Sequence, residues 1–252
     1  MTNPQWYKEI WSLGIKDQSW VEDTARQVGF LVRTLGLRGG EKILDLACGF
    51  GRHALALAEM GFSVVGADIT KDYIEDARHE AARRGLRAEF VHEDIRNLAY
   101  EDEFDVVLNM ADGAIGYLED DRENLKIFDV ISRALKKGGR HFMDVCNAEH
   151  AETRFPKRHW EFGSKSLSLP EFKWDPASRR MLYSQMEFEI GKVLPKPDAE
   201  PFETSTRLYS KLELSDILAE RGMRIIDTFC DFDGNKDSPK ELQLLVYSRK
   251  DS

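Results

Sequence analysis

Apolar side chains at Val21, Ala25, Val28, Leu31, Val32 and Leu35 recur at helical spacing, which predicts a helix over residues 20–35 with one face on a core. Arg38-Gly39-Gly40 stops it. Short apolar runs then alternate with amphipathic stretches, the pattern of a parallel sheet covered by helices. Strands are predicted at 42–46, 63–68, 88–92, 104–109 and 140–144, and helices at 53–60, 71–84 and 121–135. Gly61 and Gly85 fall where two helices would end, and Lys136-Lys137-Gly138-Gly139 would close the helix before strand five.

From residue 147 to 205 the pattern changes to short segments broken by Pro170, Asp175-Pro176 and Pro195-Lys-Pro197, so strands are expected to replace helices. Asp175-Pro-Ala-Ser178 reads as a hairpin connection. In the strand after it, Leu182, Ser184, Met186, Phe188 and Ile190 form the face expected to be buried, with Gln185, Glu187 and Glu189 pointing outward. A helix at 215–221 and strands at 224–232 and 242–249 complete the chain. The expected organisation is an N-terminal helical lid segment (1–40), a core (41–146), a β-rich substrate-side insert (147–205) and a last part of the core sheet (206–252).

Composition narrows the classes. A chain of 252 residues with 42% apolar and 32% charged content is expected to form one buried α/β core carrying an insertion. A formal charge of −9 disfavours nucleic acid, whose binding rests on cationic contacts to phosphate. Arg154, Lys157 and Arg158 are the local basic candidates for a peptide or RNA substrate. Cys48, Cys146 and Cys230 show no metal or redox spacing, and the histidines no ligand spacing, so no metal is expected. With no predicted leader or membrane span, the cytoplasm is the expected location.

The candidate chemistry begins at Asp45-Leu-Ala-Cys-Gly-Phe-Gly51, between a predicted strand and a predicted helix, where a ligand can approach bare backbone. Gly49-x-Gly51-x-x-Ala54 followed by Asp68 also satisfies a dinucleotide fingerprint. Asp45 would repel a pyrophosphate but favour the ammonium and sulfonium of S-adenosylmethionine. Asp68 and Asp94 follow at the next two strand ends, where open α/β sheets bind ligands. Singly, these acids read as a helix cap, a turn residue and a loop acid; jointly they point to a site.

Ile43-Leu-Asp-Leu-Ala-Cys-Gly-Phe-Gly-Arg-His53, Val65-Gly-Ala-Asp-Ile69, Glu93-Asp-Ile95-Arg96, Phe104-Asp-Val-Val-Leu-Asn109 and Leu135-Lys-Lys-Gly-Gly-Arg140 resemble the motifs of class I S-adenosylmethionine-dependent methyltransferases. The leading helix and β-rich insert are similar to those of small-molecule members, including sugar-amine N-methyltransferases. The resemblance implies a Rossmann-like, doubly wound α/β sheet of seven mostly parallel strands with an antiparallel β insert before the sixth. It also implies that Asp68 holds the ribose hydroxyls, Ile69 packs on adenine, Asp94 in the segment with Ile95 reads the adenine amino group, and Asn109 lines the methionine end. Ala47 stands where the motif has its first glycine, and an ordinary backbone conformation is expected there. Arg52 is a candidate for the donor carboxylate, and Tyr7 and Trp11, four apart, for a lid.

No catalytic residue is assigned. Tyr117, Trp160 and His53 are substrate-side candidates, each also readable as core or structural. The expected reaction is methyl transfer to nitrogen or oxygen of a small-molecule acceptor. A peptide or RNA methyltransferase, a non-catalytic S-adenosylmethionine-binding protein and, more distantly, a dinucleotide oxidoreductase remain alternatives.

Overall fold

The computed structural model describes residues 3–162, 166–192 and 204–251. In chain order the elements are α1 (Thr24–Leu35), β1 (Lys42–Leu46), α2 (Arg52–Glu59), β2 (Ser63–Asp68), α3 (Lys71–Arg84), β3 (Ala88–His92), β4 (Phe104–Asn109), α4 (Asp121–Ala134), β5 (Leu135–Cys146), α5 (Ala148–Arg154), β6 (Lys157–Arg158), β7 (Glu161–Phe162), β8 (Ser166–Asp175), β9 (Arg180–Glu189), β10 (Thr204–Arg207), α6 (Lys211–Ala219), β11 (Met223–Phe229) and β12 (Gln243–Lys250). Short 3-10 turns at Trp6–Lys8, Leu13–Asp17 and Ser19–Val21 precede α1.

Seven strands form one sheet in the order β11-β12-β5-β4-β1-β2-β3. β1 to β5 run parallel, and β12 is antiparallel to both β5 and β11. Alternate side chains of the buried strands go to opposite faces. Ile43, Val64, Val106 and Phe142 meet α1, α2 and α3 on one face, while Leu44, Val65, Val107 and Met143 meet α4 and α6 on the other. The strand order reverses between β1 and β4, which opens a crevice at their carboxyl ends.

The insert is a second, antiparallel sheet, β10-β9-β8-β6, with β7 also on β8. Asp175 makes the β8–β9 turn by accepting hydrogen bonds from Ala177 N at 3.1 Å and Ser178 Oγ at 2.5 Å. Ala148, Ala151, Met181 and Leu208 pack together and join the insert to the core.

Several local expectations change. Residues 19–21 form a 3-10 turn, so α1 starts at Thr24. The stretch 136–139 is not a helix end: register passes from Phe104↔Leu135 to Val106↔Arg140, so these residues bulge out of β5. Strands do not fully replace helices after 147, because the Asn147 side chain accepts from Glu149 N at 3.0 Å and starts α5. α6 starts at Lys211 because Ser210 and Glu213 form a reciprocal capping box. The Pro195-Lys-Pro197 break lies outside the described residues.

Candidate active site

Asp45 is 1% exposed near the end of β1, and its Oδ2 has no hydrogen-bond partner. Burial pushes its carboxyl up to about 7, with the nearby Arg52 cation opposing the shift. An unpartnered buried carboxylate is costly unless something cationic or hydrogen-bonding meets it. The chain then turns through Ala47 (φ 54°), Gly49 and Gly51 into α2. Ala47 therefore departs from the ordinary backbone expected of it, and strain of this kind costs on the order of 1–3 kcal/mol.

Asp68, at the end of β2, fastens that turn. Its Oδ2 accepts from Gly49 N at 2.8 Å and its Oδ1 from Thr70 N at 2.8 Å. Burial raises its pKa, and these hydrogen bonds lower it. Beyond β3, Asp94 accepts from Arg96 N at 3.0 Å and pairs with the Arg96 guanidinium at 2.5 Å, which also meets Glu123 at 2.6 Å.

These residues border one cavity of about 1280 Å³, over the carboxyl ends of β1, β2, β4 and β5 and under the insert. Of the donor-side candidates, Tyr7, Trp11, Asp45, Ala47, Gly49, Arg52, Asp68, Ile69, Asp94 and Ile95 line it; Gly51 and Asn109 do not. A Cβ on Gly51 would lie 2.7 Å from the Phe90 ring, so this glycine serves helix-to-sheet packing. Asn109 is fully buried, and its Nδ2 donates to Gly113 O at 3.1 Å, so it shapes the following loop.

That loop is unusual. Ala111, Asp112, Gly113 and Ala114 are consecutive left-handed residues, with φ of 53°, 67°, 52° and 61°. Asp112 N donates to Asp144 O of β5 at 2.8 Å, and Arg207 N donates to Gly116 O at 2.7 Å. The turn brings Asp112 to the cavity beside Asp144 and Cys146, all three of which line it. Burial pushes Asp112 up to about 6, with hydrogen bonding from Cys146 opposing; burial and then Asp112 push Asp144 up to about 7.

On the substrate side, Tyr117 and His53 line the cavity, and Trp160 does not. Trp160 is 67% exposed, which corrects the expectation that it forms a substrate wall. His53 Nε2 lies 2.8 Å from Gln27 Oε1, and burial holds its pKa well below the usual histidine range, so the ring is neutral. Gln27 Oε1 also accepts from Arg52 at 2.7 Å. Trp6 was not anticipated: it is buried, its ring centroid is 4.6 Å from that of Tyr117, and its Nε1 has no partner. Trp11 stacks on Tyr117 at 6.4 Å.

The roof changes one part of another expectation: Leu182, Ser184, Met186 and Phe188 of β9 are half-buried as expected, but the polar face does not simply point to solvent. Met181, Tyr183, Gln185 and Glu187 of β9 face the cavity, whereas Ile190, on the opposite face, is 52% exposed. The polar alternation thus lines a chamber. Arg158, one of the basic candidates, pairs with Glu171 at 3.0 Å across β6 and β8. Among the described residues there is no group of three or more possible metal ligands, and no helix long and apolar enough to cross a membrane.

An open α/β sheet with a glycine turn at its switch point and acids after β1, β2 and β3 is the class of fold that binds nucleotide-like ligands at this edge. A methyltransferase-domain family model matches residues 37–200. The chain is 30% identical to a protein of Geobacillus sp. (strain WCH70) named as a methyltransferase, over 96% of this chain and 95% of that one. The structure of the CcbJ methyltransferase from Streptomyces caelestis matches with a TM-score of 0.76 at 18% identity, over 91% of this chain and 90% of that one. The glycopeptide N-methyltransferase MtfA, solved in complex with S-adenosylmethionine, shares the fold with a TM-score of 0.57 at 19% identity, over 90% and 93% of the two chains. This chain belongs to the methyltransferase domain family, and to its class I, S-adenosylmethionine-dependent fold. The comparisons do not single out the sugar-amine subtype.

Proposed function

We propose that the protein transfers the methyl group of S-adenosylmethionine to nitrogen or oxygen of a small-molecule acceptor, in the cytoplasm. The observation that carries this reading is the chamber itself: donor-side acids on its floor, an insert as its roof, and aromatic residues of the N-terminal segment at its side. A concave, roofed chamber with aromatic walls and a few placed polar groups is the kind of site that takes a small molecule.

The residues fit the donor. Asp45 Oδ2 is a buried oxygen without a partner, placed to receive the donor's ammonium, and Arg52 beside it suits the carboxylate. Asp68 would hold the ribose hydroxyls, Ile69 and Ile95 the adenine faces, and Asp94 the adenine amino group. Tyr7, Trp11 and Trp6 would cover the site and keep water out. S-adenosylmethionine supplies a methyl group on sulfonium, with a neutral thioether as leaving group. The protein has mainly to align the acceptor, and alignment alone contributes several kcal/mol.

Binding titration with S-adenosylmethionine, S-adenosylhomocysteine and a nicotinamide dinucleotide tests the donor, and a methyl-transfer screen read by S-adenosylhomocysteine release tests the acceptor. Binding of the two sulfur compounds and turnover of a metabolite are expected. A folded protein that binds neither sulfur compound would overturn the reading, as would transfer to RNA or protein alone.

Asp68→Asn is a milder test of the ribose assignment than Asp68→Ala, because its single amide oxygen still accepts from Gly49 N or Thr70 N, whereas alanine releases both. Losing one charge-assisted hydrogen bond of about 1.5–3 kcal/mol predicts a fall in donor affinity of about 10- to 150-fold with the far-UV spectrum unchanged. Unaltered calorimetric affinity would remove Asp68 from the ribose site.

A further inference from the structure

We propose that the acceptor is a primary or secondary amine, and that Asp112 holds its nitrogen and takes its proton; this deepens, and rests on, the methyl-transfer reading above.

Three non-glycine residues in the consecutive left-handed turn, Ala111, Asp112 and Ala114, oppose their intrinsic preference by roughly 1–2 kcal/mol each. The turn is held from three sides, by Asn109 Nδ2 on Gly113 O, by Asp112 N on Asp144 O, and by Arg207 N on Gly116 O. Its result is a further pair of carboxylates on the chamber, Asp112 and Asp144, the latter within electrostatic reach of Arg52. Paired carboxylates raise the energy of a phenolate or alkoxide approaching them and lower that of an ammonium.

Two further observations point to the same ligand. The Trp6, Trp11 and Tyr117 rings stand together on the cavity, and aromatic faces attract ammonium and its methylated product. Trp6 Nε1, buried and without a partner in a residue 3% exposed, calls for a hydrogen-bond acceptor atom elsewhere on the ligand. An amine carrying an oxygen function satisfies both, and Gln185, Thr204 and Thr206 on the roof suit its polar remainder.

The amine lone pair forms the new bond to the methyl carbon, the carbon–sulfur bond breaks toward sulfur, and the proton lost from nitrogen passes to the Asp112 carboxylate. A carboxyl pushed up to about 6 can take that proton more readily than an ordinary aspartate can. Cys146 on β5 hydrogen-bonds to Asp112, and Asp144 on β5 and Tyr117 on its own loop are electrostatically coupled to it; Arg52 on α2 acts on Asp144, and Tyr183 and Glu187 of the roof line the same cavity.

The test compares the intact protein with Asp112→Asn on a panel of amines and their hydroxyl isosteres, reading S-adenosylhomocysteine release, with donor affinity measured separately by calorimetry. Wild-type turnover of amines is expected, with kcat/KM about 100-fold lower or more in the variant, the acid limb of the pH profile near 6 lost, and donor affinity within about twofold. Turnover of hydroxyl acceptors alone would overturn the proposal and spare the methyltransferase reading, as would an Asp112→Asn variant with unchanged amine turnover. Failure of the wild type to bind the donor would sink both. Should Asp112→Asn not fold, Asp144→Asn is expected to raise the KM of amines about tenfold without affecting hydroxyl-bearing controls, and equal KM values would refute the proposal.

Discussion

Asp45→Asn is expected to lower affinity for S-adenosylmethionine by at least about 30-fold while making the unliganded fold more heat-stable at pH 8. Truncating one side of a buried charged contact costs 2–5 kcal/mol or more, which sets the first effect. The second follows from linkage. The Asp45 carboxyl titrates near 3.8 when unfolded and at about 7 when folded. Its contribution to stability is fully present below about 3.8 and is lost as pH rises through about 7. At pH 8 the folded protein carries this buried charge, at a cost on the order of 2–4 kcal/mol that asparagine removes. Melting scans of the unliganded pair should coincide at pH 3.5 if both remain folded there, and diverge by several degrees at pH 8. Calorimetry should show wild-type donor affinity falling as pH drops below about 7, and the variant flat. A variant that binds as tightly as wild type would exclude Asp45 from the donor site.

Arg180→Met is expected to uncouple the insert from the acceptor loop. Arg180 is 6% exposed, and its guanidinium donates to Ser205 Oγ and Ser205 O, both at 2.6 Å, and to Leu118 O at 3.0 Å. Gly116 O at 3.3 Å and Tyr117 O at 3.4 Å complete the set. Methionine preserves much of the volume but takes the cationic donor from Ser205 Oγ, Ser205 O and Tyr117 O, while Gly116 O keeps Arg207 N and Leu118 O keeps Asn124 Nδ2, for a loss on the order of 1–3 kcal/mol. Because Tyr117 is carried on this loop, the acceptor KM should rise at least about tenfold and kcat should fall, with donor affinity changed less than about threefold. Equal steady-state constants and melting temperatures would show that the loop holds its shape without Arg180. The contact also explains the glycine at 116: a Cβ there would sit 1.9 Å from Arg207 O, where loop and insert touch through bare backbone.

Some of this architecture is written locally. The bounds of β1 to β4 and α3 were legible because each depends on the spacing of apolar residues within a single segment. Asp45, Asp68 and Asp94 were legible because strand ends can be located along the chain, and in a parallel sheet strand ends share one edge. That the three acids would border one cavity was therefore open to reading from residue order.

The acceptor side was not. Asp112 and Asp144 come together only because β4 and β5 lie side by side and the chain between them enters a left-handed turn, a conformation that its alanines and aspartate do not favour intrinsically. Trp6 meets Tyr117 only when the N-terminal segment folds back over the sheet. Alternation along β9 disclosed two faces without saying which one would line a cavity, and in the folded chain Gln185 and Glu187 do. Local spacing thus specified β1 to β4, α3 and the row of acids at one edge of the sheet, because those rest on interactions between near neighbours. The acceptor chamber arose from contacts between distant segments, whose energies no single stretch of sequence contains.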